Sequence, residues 1–259
     1  QWIYITMNSS TLIRRHAAHP FRLLLLKTFW ASYARIVCIY SGQIKDFIRL
    51  GISRERLTFI AFGVDTKFFQ PTDAMRDGGL IVSVGRDTGR DYATLFTAAE
   101  HTPHTFVVVA ARKNISPYAL IPANVSVLYD RNYEEIRDLY TRARLVVVTS
   151  KDAHIADGSD CSGQTVILDA LSAGKAVVAT SRPWIGDYLV PGEDLVVIQP
   201  SDPEALMRAI NSLWNDAKKR KNLAASGHGK VASRYTTENF ARSLLALMDS
   251  MKHTRNSSL

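Results

Sequence analysis

The stretch that most constrains the fold runs from Gly158 to Thr180, where a small polar loop, a helix and a buried strand follow one another. Ser162 has the side chain of an N-cap, and apolar residues at helical spacing follow it. Gly174 closes the helix, and the apolar run 176–179 is typical of a strand buried on both faces. The apolar face of the helix consists of Val166, Ile167, Ala170 and Leu171.

Similar apolar, β-branched runs recur along the chain, and helical patterns separate most of them. The runs are 79–84, 106–110, 125–128, 145–148, 176–179 and 195–198. This alternation predicts an α/β fold with a doubly wound parallel sheet, which binds its ligand at the carboxyl ends of the strands.

The first turn of the helix after Ser162 has the features of an anion site. The amides of Gly163, Gln164 and Thr165 would be free there, and the helix dipole favours a negative charge. Asp169 lies seven residues beyond Ser162 on nearly the same face, about 10 Å along the axis. A diphosphate at the amides and a sugar hydroxyl at Asp169 would use both groups. An ordinary βα turn with a solvated Asp169 is the alternative, and geometry alone favours it.

These residues resemble the donor-site signature of the retaining, nucleotide-sugar-dependent glycosyltransferases of the GT-B fold, specifically family 4 (glycosyl transferases group 1). That family has two glutamates eight residues apart around a glycine-containing loop and a helix. Asp169 stands at the second position and keeps an acid, whereas Cys161 stands at the first. The resemblance implies that Asp169 contacts the donor ribose and that residues 161–165 line the donor site. It also implies that the contact from the first acid to the donor sugar is lost.

A second motif extends the resemblance to residues 35–71, which are similar to the hinge between the two domains of the family. Its core is the sequence Gly63-Val64-Asp65, followed by an aromatic pair and a proline. The chain would accordingly carry only a remnant of the acceptor-binding N-terminal domain. The implied domains are the remnant and hinge over 1–70, a donor-binding domain over 71–234, a crossing helix over 235–251 and a disordered tail over 252–259.

A third motif follows the strand 79–84. Gly85 and Arg86 match a glycine and an arginine of the family, and Arg90 stands where the family has a lysine. The resemblance implies that both arginines are catalytic and hold the donor diphosphate opposite the helix amides. Arginine in place of lysine keeps the charge but changes a point donor into a planar fork.

Four further side chains are assigned by the resemblance alone. Tyr129 follows a strand where relatives pack the nucleotide base. Asn8 is the nearest match to a catalytic histidine close to the reacting sugar. Trp184 and Asp187 follow the strand 176–179 and would shape the donor pocket.

The positive charge of the chain is compatible with several classes of binding partner and does not select one of them. The net charge of +8 and the pI near 9.5 suit a phosphorylated ligand, an anionic membrane or nucleic acid. Residues 7–11 predict a loop, and residues 14–33 predict a helix with a basic first half. Such a helix either rests on an anionic membrane or packs with a solvated charged face. The basic run 216–234 lacks interleaved aromatic residues, so we predict a solvated helix face rather than a nucleic-acid site.

The predicted activity is transfer of a sugar from a nucleotide diphosphate sugar to a hydroxyl of a glycan or lipid-linked acceptor, with retention. We expect no metal and no cofactor besides the sugar nucleotide, and a cytoplasmic protein, peripheral at the inner face of the membrane if the basic helix binds lipid. The first alternative is an inactive nucleotide-sugar-binding module, because Cys161 replaces an acid. A remote alternative makes Cys161 a nucleophile with His154 as its base.

Overall fold

The structure is a computed structural model that describes residues 2–72, 78–155 and 158–256. Its N-terminal part, which we call the small unit, contains a parallel sheet of three strands in the order β1-β2-β3. The elements of the small unit are β1 (Ile3–Thr6), α1 (Ser9–Arg15), α2 (Pro20–Ala31), β2 (Arg35–Cys38), α3 (Ser41–Leu50), a 3₁₀ turn (Arg54–Arg56) and β3 (Leu57–Phe59).

The rest of the chain, which we call the large unit, contains a parallel sheet of six strands with helices on both faces. Its strands are β4 (Leu80–Gly85), β5 (Thr105–Ala110), β6 (Val125–Tyr129), β7 (Ala143–Val148), β8 (Ala176–Thr180) and β9 (Val196–Ile198). Its helices are α4 (Tyr92–Glu100), α5 (Arg112–Ile115), α6 (Tyr133–Arg142), α7 (Gln164–Ser172), α8 (Ile185–Tyr188), α9 (Pro203–Asn215), α10 (Ala217–Arg234) and α11 (Thr237–Asn256).

The strand order of the large unit is β6-β5-β4-β7-β8-β9, so the sheet grows outward in both directions from the β4–β7 pair. This is the doubly wound arrangement predicted from the sequence, and the prediction is confirmed. Because successive connections leave β4 and β7 in opposite directions, a crevice opens at their carboxyl ends. The crevice lies between the loop after β4 and the loop after β7.

Both faces of the large sheet are covered by apolar side chains. Val82 and Val84 of β4 belong to one core, and Ile81, which precedes them, belongs to the other. This alternation follows from the two-residue period of a strand and explains why the run carries no polar face. The first core also contains Ile39 and Val64 of the small unit, so packing continues from one unit to the other.

The hinge motif has a physical explanation. A Cβ at Gly63 would lie 2.1 Å from the carbonyl oxygen of Thr236, so only glycine permits this approach of two backbones. Val64 donates its amide to Tyr235 and accepts one from Thr237, at 2.9 and 3.0 Å. The segment before α11 thus packs on the hinge. The predicted domain boundaries stay a prediction.

Two local predictions are wrong. Residues 7–11 are not a loop, because α1 begins at Ser9, and a second helix begins at Pro20 instead of one helix spanning 14–33. Proline lacks an amide hydrogen and is favoured at a helix start, which separates the two helices. At the other end of the chain α11 continues past Met251 to Asn256, where the sequence predicted a disordered tail.

Candidate functional site

The predicted site residues meet at the crevice beside β4 and β7. β4 ends at Gly85, and the following turn returns to the sheet, where Arg90 pairs with Ser150 in an antiparallel bridge. β7 ends at Val148, and its loop leads to Gly163 and α7. Both loops therefore lie at the carboxyl edge, as the sequence predicted.

Arg90 occupies the centre of the crevice. Only 5% of its surface is exposed, and its Nε and Nη1 atoms have no hydrogen-bond partner in the described parts of the chain. A Cβ at Gly85 would lie 2.1 Å from Nε, so glycine makes room for the side chain. Burial lowers the pKa of Arg90, although nearby Tyr92 and Asp87 act in the opposite direction. A buried cation with unpaired donors is energetically costly unless an anion joins it.

The amino end of α7 faces the same arginine. Gly163 has a φ of 86°, and a Cβ there would lie 3.0 Å from Nη1 of Arg90 and 2.9 Å from Cγ1 of Val148. The N-cap is Gly163 rather than Ser162 as predicted; a positive φ favours glycine at this position. Ser162 is instead buried, with its Oγ 3.5 Å from Oγ of Ser150.

Two of the three amides predicted to be free at α7 have no acceptor among residues 2–72, 78–155 and 158–256. They are the amides of Gly163 and Thr165, whereas Gln164 donates its amide to the Cys161 carbonyl at 2.9 Å. That part of the prediction is wrong, because the turn before the helix uses the Gln164 amide. The Gln164 side chain is 1% exposed, and both of its polar atoms lack partners in the described chain.

Asp87 joins the two loops of the crevice. Its Oδ1 accepts the amide of Gly89 at 2.7 Å, and its Oδ2 accepts the amide of Ser159 at 3.0 Å. The approach is close, since a Cβ at Gly158 would lie 2.4 Å from the Cα of Gly89. Arg90 and the amides of α7 are thus held at a fixed separation before any ligand arrives.

Asp169 lies further along α7, partly exposed, and no described residue donates a hydrogen bond to its carboxylate. Burial, together with the negative charge of Asp65, raises the pKa of Asp169 to about 7. Tyr140 is close to both Asp169 and Arg90. Burial raises the pKa of Tyr140, the Asp169 charge adds to this rise, and the Arg90 charge opposes it. The Tyr140 hydroxyl also lacks a partner in the described chain.

Arg86 and Tyr129 stand at the rim. Arg86 is exposed and donates Nη2 to the carbonyl of Arg131 at 2.7 Å. One face of the Tyr129 ring is covered by the guanidinium of Arg112, 4.6 Å from the ring centroid. A base could stack on Tyr129 only from the other side.

Cys161 lies in the loop before α7 and is 5% exposed. Burial raises the pKa of its thiol well above the usual value, and the charge of Asp160 adds to this rise. A thiol held neutral in this way is a poor nucleophile, so the alternative with His154 as a base loses its physical basis. His154 itself is exposed and donates its backbone amide to Asp152.

Asp187 was predicted to shape the donor pocket, and the structure places its carboxylate elsewhere. Its two oxygens accept the amide and the hydroxyl of Ser41, at 2.6 and 2.9 Å, at the start of α3 in the small unit. Trp184 is fully buried, with its Nε1 unpaired in the described chain. Asn8 directly precedes α1, with an exposed side chain, next to Met7, whose carbonyl accepts the hydroxyl of Ser159.

Sequence reasoning missed four residues of this region: Asp87, Tyr140, Asp160 and the side chain of Gln164. Tyr140 could not be found from a motif, because it reaches the crevice from α6. Asp87 lies between Arg86 and Arg90 of the third motif, and its place two residues before Gly89 is a signal for a side chain that caps a turn. In the described ranges no group of three acidic, histidine or cysteine side chains could hold a metal ion, and no helix is long and apolar enough to cross a membrane.

The chain is similar in sequence and in fold to known proteins. A curated relative, the lipopolysaccharide core biosynthesis mannosyltransferase LpcC of Rhizobium leguminosarum bv. viciae, is 29% identical over 209 residues, 71% of this chain. The match covers 55% of the relative, so the chain spans about half of its length.

Solved structures share the fold. HepE of Anabaena, in complex with UDP and glucose, has a TM-score of 0.80 at 18% identity, over 96% of this chain and 71% of HepE. Sucrose-phosphate synthase of Thermosynechococcus elongatus has a TM-score of 0.78 at 20% identity, over 98% of this chain and 68% of the synthase. The family model described as glycosyl transferases group 1 matches residues 69–230. Because that match covers more than half of the chain, the protein belongs to the glycosyl transferases group 1 family.

Proposed function

We propose that this chain forms the donor-binding part of a glycosyltransferase that moves a sugar from a nucleotide diphosphate sugar to an acceptor hydroxyl, with retention at the anomeric carbon. The observation that carries the proposal is the buried Arg90 guanidinium, whose Nε and Nη1 lack partners in the described chain, beside the open amino end of α7. A diphosphate supplies the negative charge and the acceptor oxygens that this arrangement lacks.

In this proposal each residue has a role that follows from its position in the site. Arg90 and the Gly163 and Thr165 amides hold the diphosphate from two sides, and Arg86 approaches it from the rim. As the bond to the sugar breaks, negative charge grows on the diphosphate, and these fixed donors stabilise it without a metal ion. Asp169 accepts a ribose hydroxyl, which gives its carboxylate the hydrogen bond that no described residue provides.

The relatives support a sugar nucleotide as the ligand. HepE was solved with UDP and glucose, and the curated relative LpcC is named a mannosyltransferase of lipopolysaccharide core biosynthesis. We therefore propose a glycan or lipid-linked acceptor, bound between the two units near Asn8. The donor sugar itself stays open, because Cys161 offers a neutral thiol where the family has a sugar-binding acid.

The test is calorimetric titration with UDP, GDP and ADP in the presence of EDTA. We expect one diphosphate to bind, and Arg86→Ala and Asp169→Ala each to weaken it more than about tenfold, the value of one lost charge-assisted hydrogen bond. Arg208→Ala is the matched control, since Arg208 is an exposed arginine on α9 paired only with Glu204 among the described residues. Unchanged affinity in both folded variants would contradict the proposal that Arg86 and Asp169 bind the nucleotide.

An inactive nucleotide-sugar-binding module is the second candidate, and the buried, neutral Cys161 favours it. The two candidates differ in turnover. A longer protein that carries this chain and hydrolyses or transfers the sugar supports the enzyme, whereas tight binding of the intact sugar nucleotide without any release of nucleotide supports the binding module.

Peripheral membrane binding, at the cytoplasmic face, is part of the proposal and rests on α2. Four large apolar side chains of this helix are exposed: Phe21 (70%), Leu24 (57%), Leu25 (55%) and Phe29 (48%). Arg22 and Lys27 flank them, which suits an anionic surface. Vesicles containing anionic phospholipid should retain the protein and neutral vesicles should not. Equal retention by both, or by neither, would contradict this part of the proposal.

A further inference from the structure

Asp160 lies in the loop before α7, yet its carboxylate is occupied by the small unit. Oδ2 accepts the amide of Ser10 at 2.7 Å, and Oδ1 accepts the amide and the hydroxyl of Thr11 at 2.5 and 2.6 Å. Gln43 donates Nε2 to Oδ2 at 3.2 Å, and Arg14 forms an ion pair at 3.6 Å. The side chain of Asp160 is fully buried by these contacts.

These contacts replace the cap that α1 lacks. The helix begins after Asn8, whose side chain makes no capping bond. Thr6 accepts the amide of Ser9, and the next two amides of α1 depend on an acceptor from outside the small unit. Asp160 supplies it from a position 150 residues away in sequence from Ser10. If the two units moved apart, the Ser10 and Thr11 amides and a buried carboxylate would lose their partners together.

The same loop is tied firmly to the donor side. Arg182 donates Nη2 to the carbonyls of Ser159 and Asp160, at 3.1 and 3.2 Å, and Asp87 accepts the amide of Ser159. A displacement of Asp160 by the small unit would therefore also shift Gly163, because a short, hydrogen-bonded segment connects the two residues.

We infer that Asp160 is a positioning residue that couples closure of the two units to the geometry of the donor loop 158–163. When the units are closed, the Asp160 carboxylate is bound to α1, and this contact fixes the loop and the amino end of α7. With the units apart, the loop loses its anchor. Because coupling between two equilibria is reciprocal, a ligand that holds the loop also favours closure. The effect of Asp160 on nucleotide affinity rests on the proposed function, whereas its effect on closure does not.

The native cysteines provide the measurement. Cys161, next to Asp160, is 5% exposed, whereas Cys38 is 0% exposed in the separate core of the small unit. We expect Asp160→Ala to raise the rate of Cys161 alkylation by N-ethylmaleimide about tenfold, the usual loss when a helix cap is removed, and to leave Cys38 unchanged. Labelling is followed site by site by mass spectrometry. Asp202→Ala is the control, because Asp202 caps α9 within the large unit and should leave Cys161 protected.

Two gentler variants keep the test decisive if Asp160→Ala does not fold. Asp160→Asn retains one acceptor oxygen. Thr11→Val removes the hydroxyl contact with Asp160, together with the hydrogen bond that this hydroxyl accepts from Arg14, and keeps the Thr11 amide contact. The inference requires that both raise the Cys161 rate and that the double variant raises it by less than the product of the single effects. An unchanged Cys161 rate in these variants, independent effects, or an equal rise at Cys38 and Cys161 would overturn it.

The link to the ligand is read separately with UDP. Asp160→Ala should weaken UDP binding about tenfold, with Asp160→Asn restoring part of the loss, and UDP should slow Cys161 alkylation in the unaltered chain. If UDP does not bind, the same measurement is made with GDP and ADP; no binding of any of the three by the unaltered chain would count against the proposed function and leave the labelling result standing. UDP binding of equal strength in Asp160→Ala, with Cys161 still protected, would count against the inference alone.

Discussion

The two units of the molecule start their helices in different ways. In the large unit five helices are capped by a side chain of their own N-cap residue, and these residues are Asp91, Asn132, Asp202, Asp216 and Thr236. In the small unit none of the three helices has such a cap. Asp160 and Asp187 of the large unit instead accept amides in the first turns of α1 and α3. Within the small unit Thr6 accepts the amide of Ser9, and α2 begins at Pro20, which has no amide hydrogen to satisfy. The starts of α1 and α3 in the small unit thus depend on acceptors from the large unit.

Three described helices of the large unit lack such a cap, and α7 is the longest of them, since α5 and α8 have only four residues each. Its N-cap is Gly163, which has no side chain, and neither unit supplies an acceptor from the described residues to the Gly163 and Thr165 amides. Among the uncapped helices, α1 and α3 receive acceptors from the opposite unit, whereas the amino end of α7 is left open in the described chain. The unpaired Arg90 beside α7 supports a ligand site at this open end.

The largest effect is expected from Arg90→Met, which keeps the length of the side chain and removes its charge. UDP affinity should fall about 100-fold, because charge-assisted hydrogen bonds to the diphosphate are lost. The free energy of unfolding of the free protein should stay equal or rise, since a buried cation without partners is costly. Calorimetry and urea unfolding measure the two quantities.

Arg220→Met is the matched control for that variant. Arg220 is also buried, at 4% exposure, but it donates Nη1 to the carbonyls of Leu213 and Trp214. Its loss should lower the free energy of unfolding by about 1–3 kcal/mol and leave UDP binding intact. If Arg90→Met were as destabilising as Arg220→Met, the open end of α7 would be a structural feature and not a ligand site.

The raised pKa of Asp169 predicts that the free energy of unfolding depends on pH. Because its folded pKa of about 7 lies above the ordinary value of about 3.9, the folded chain holds this proton more tightly than the unfolded chain. Stability is therefore greatest below the unfolded pKa and falls as the pH rises toward and through 7. Between about pH 5.5 and 7.5 the free energy of unfolding should fall by about 1–2 kcal/mol, and Asp169→Asn should remove that part of the slope. Urea titrations at a series of pH values test this, and identical slopes would contradict it.

Gly163 and Gly192 form a natural pair for a smaller effect. Both have a φ of 86°, but a Cβ at Gly192 would meet no atom within 4 Å, whereas one at Gly163 would meet Val148 and Arg90. Alanine at either position carries the strain of a left-handed conformation, about 1 kcal/mol or more. Gly163→Ala should cost about 1 kcal/mol beyond Gly192→Ala, and it alone should weaken UDP binding. Equal losses in both variants, with equal UDP affinity, would show that the contact with Arg90 is unimportant.

The sequence predicted the large sheet well because each strand is an apolar, β-branched run and each helix start or end has a local signal. Gly51, for example, follows α3 with a φ of 89°, a conformation that favours glycine and makes this residue a local signal for the end of a helix. The start of α1 could not be predicted in this way, since its cap comes from Asp160. A polar run such as residues 7–11 has the composition of a loop when its partner is far away in sequence.

The candidate site divides along the same line. Gly85, Arg90, Gly163 and Asp169 were found from motifs, because each lies within a few residues of a strand end or a helix start. Tyr140 and the contact of Asp187 with Ser41 were not predicted, since they depend on how α6 and the small unit pack against the loops. Residues 73–77 and 156–157, which join these parts, lie outside the described residues.

The smallest effect is expected from Asp187→Ala, because Ser41 is exposed and the carboxylate only partly buried. Loss of this cap should speed hydrogen exchange at the first turn of α3 about threefold to tenfold, with little change in the free energy of unfolding of the whole chain. Asp202→Ala should do the same at α9 and leave α3 unchanged. Hydrogen exchange read by mass spectrometry separates the two helices. If hydrogen exchange at α3 becomes faster in Asp187→Ala, the stability of a helix in the small unit depends on a residue of the large unit, as the capping pattern indicates. Exchange at α3 that does not respond would mean that the small unit holds its own helices, and that the contacts of Asp187 only record how closely the two units approach.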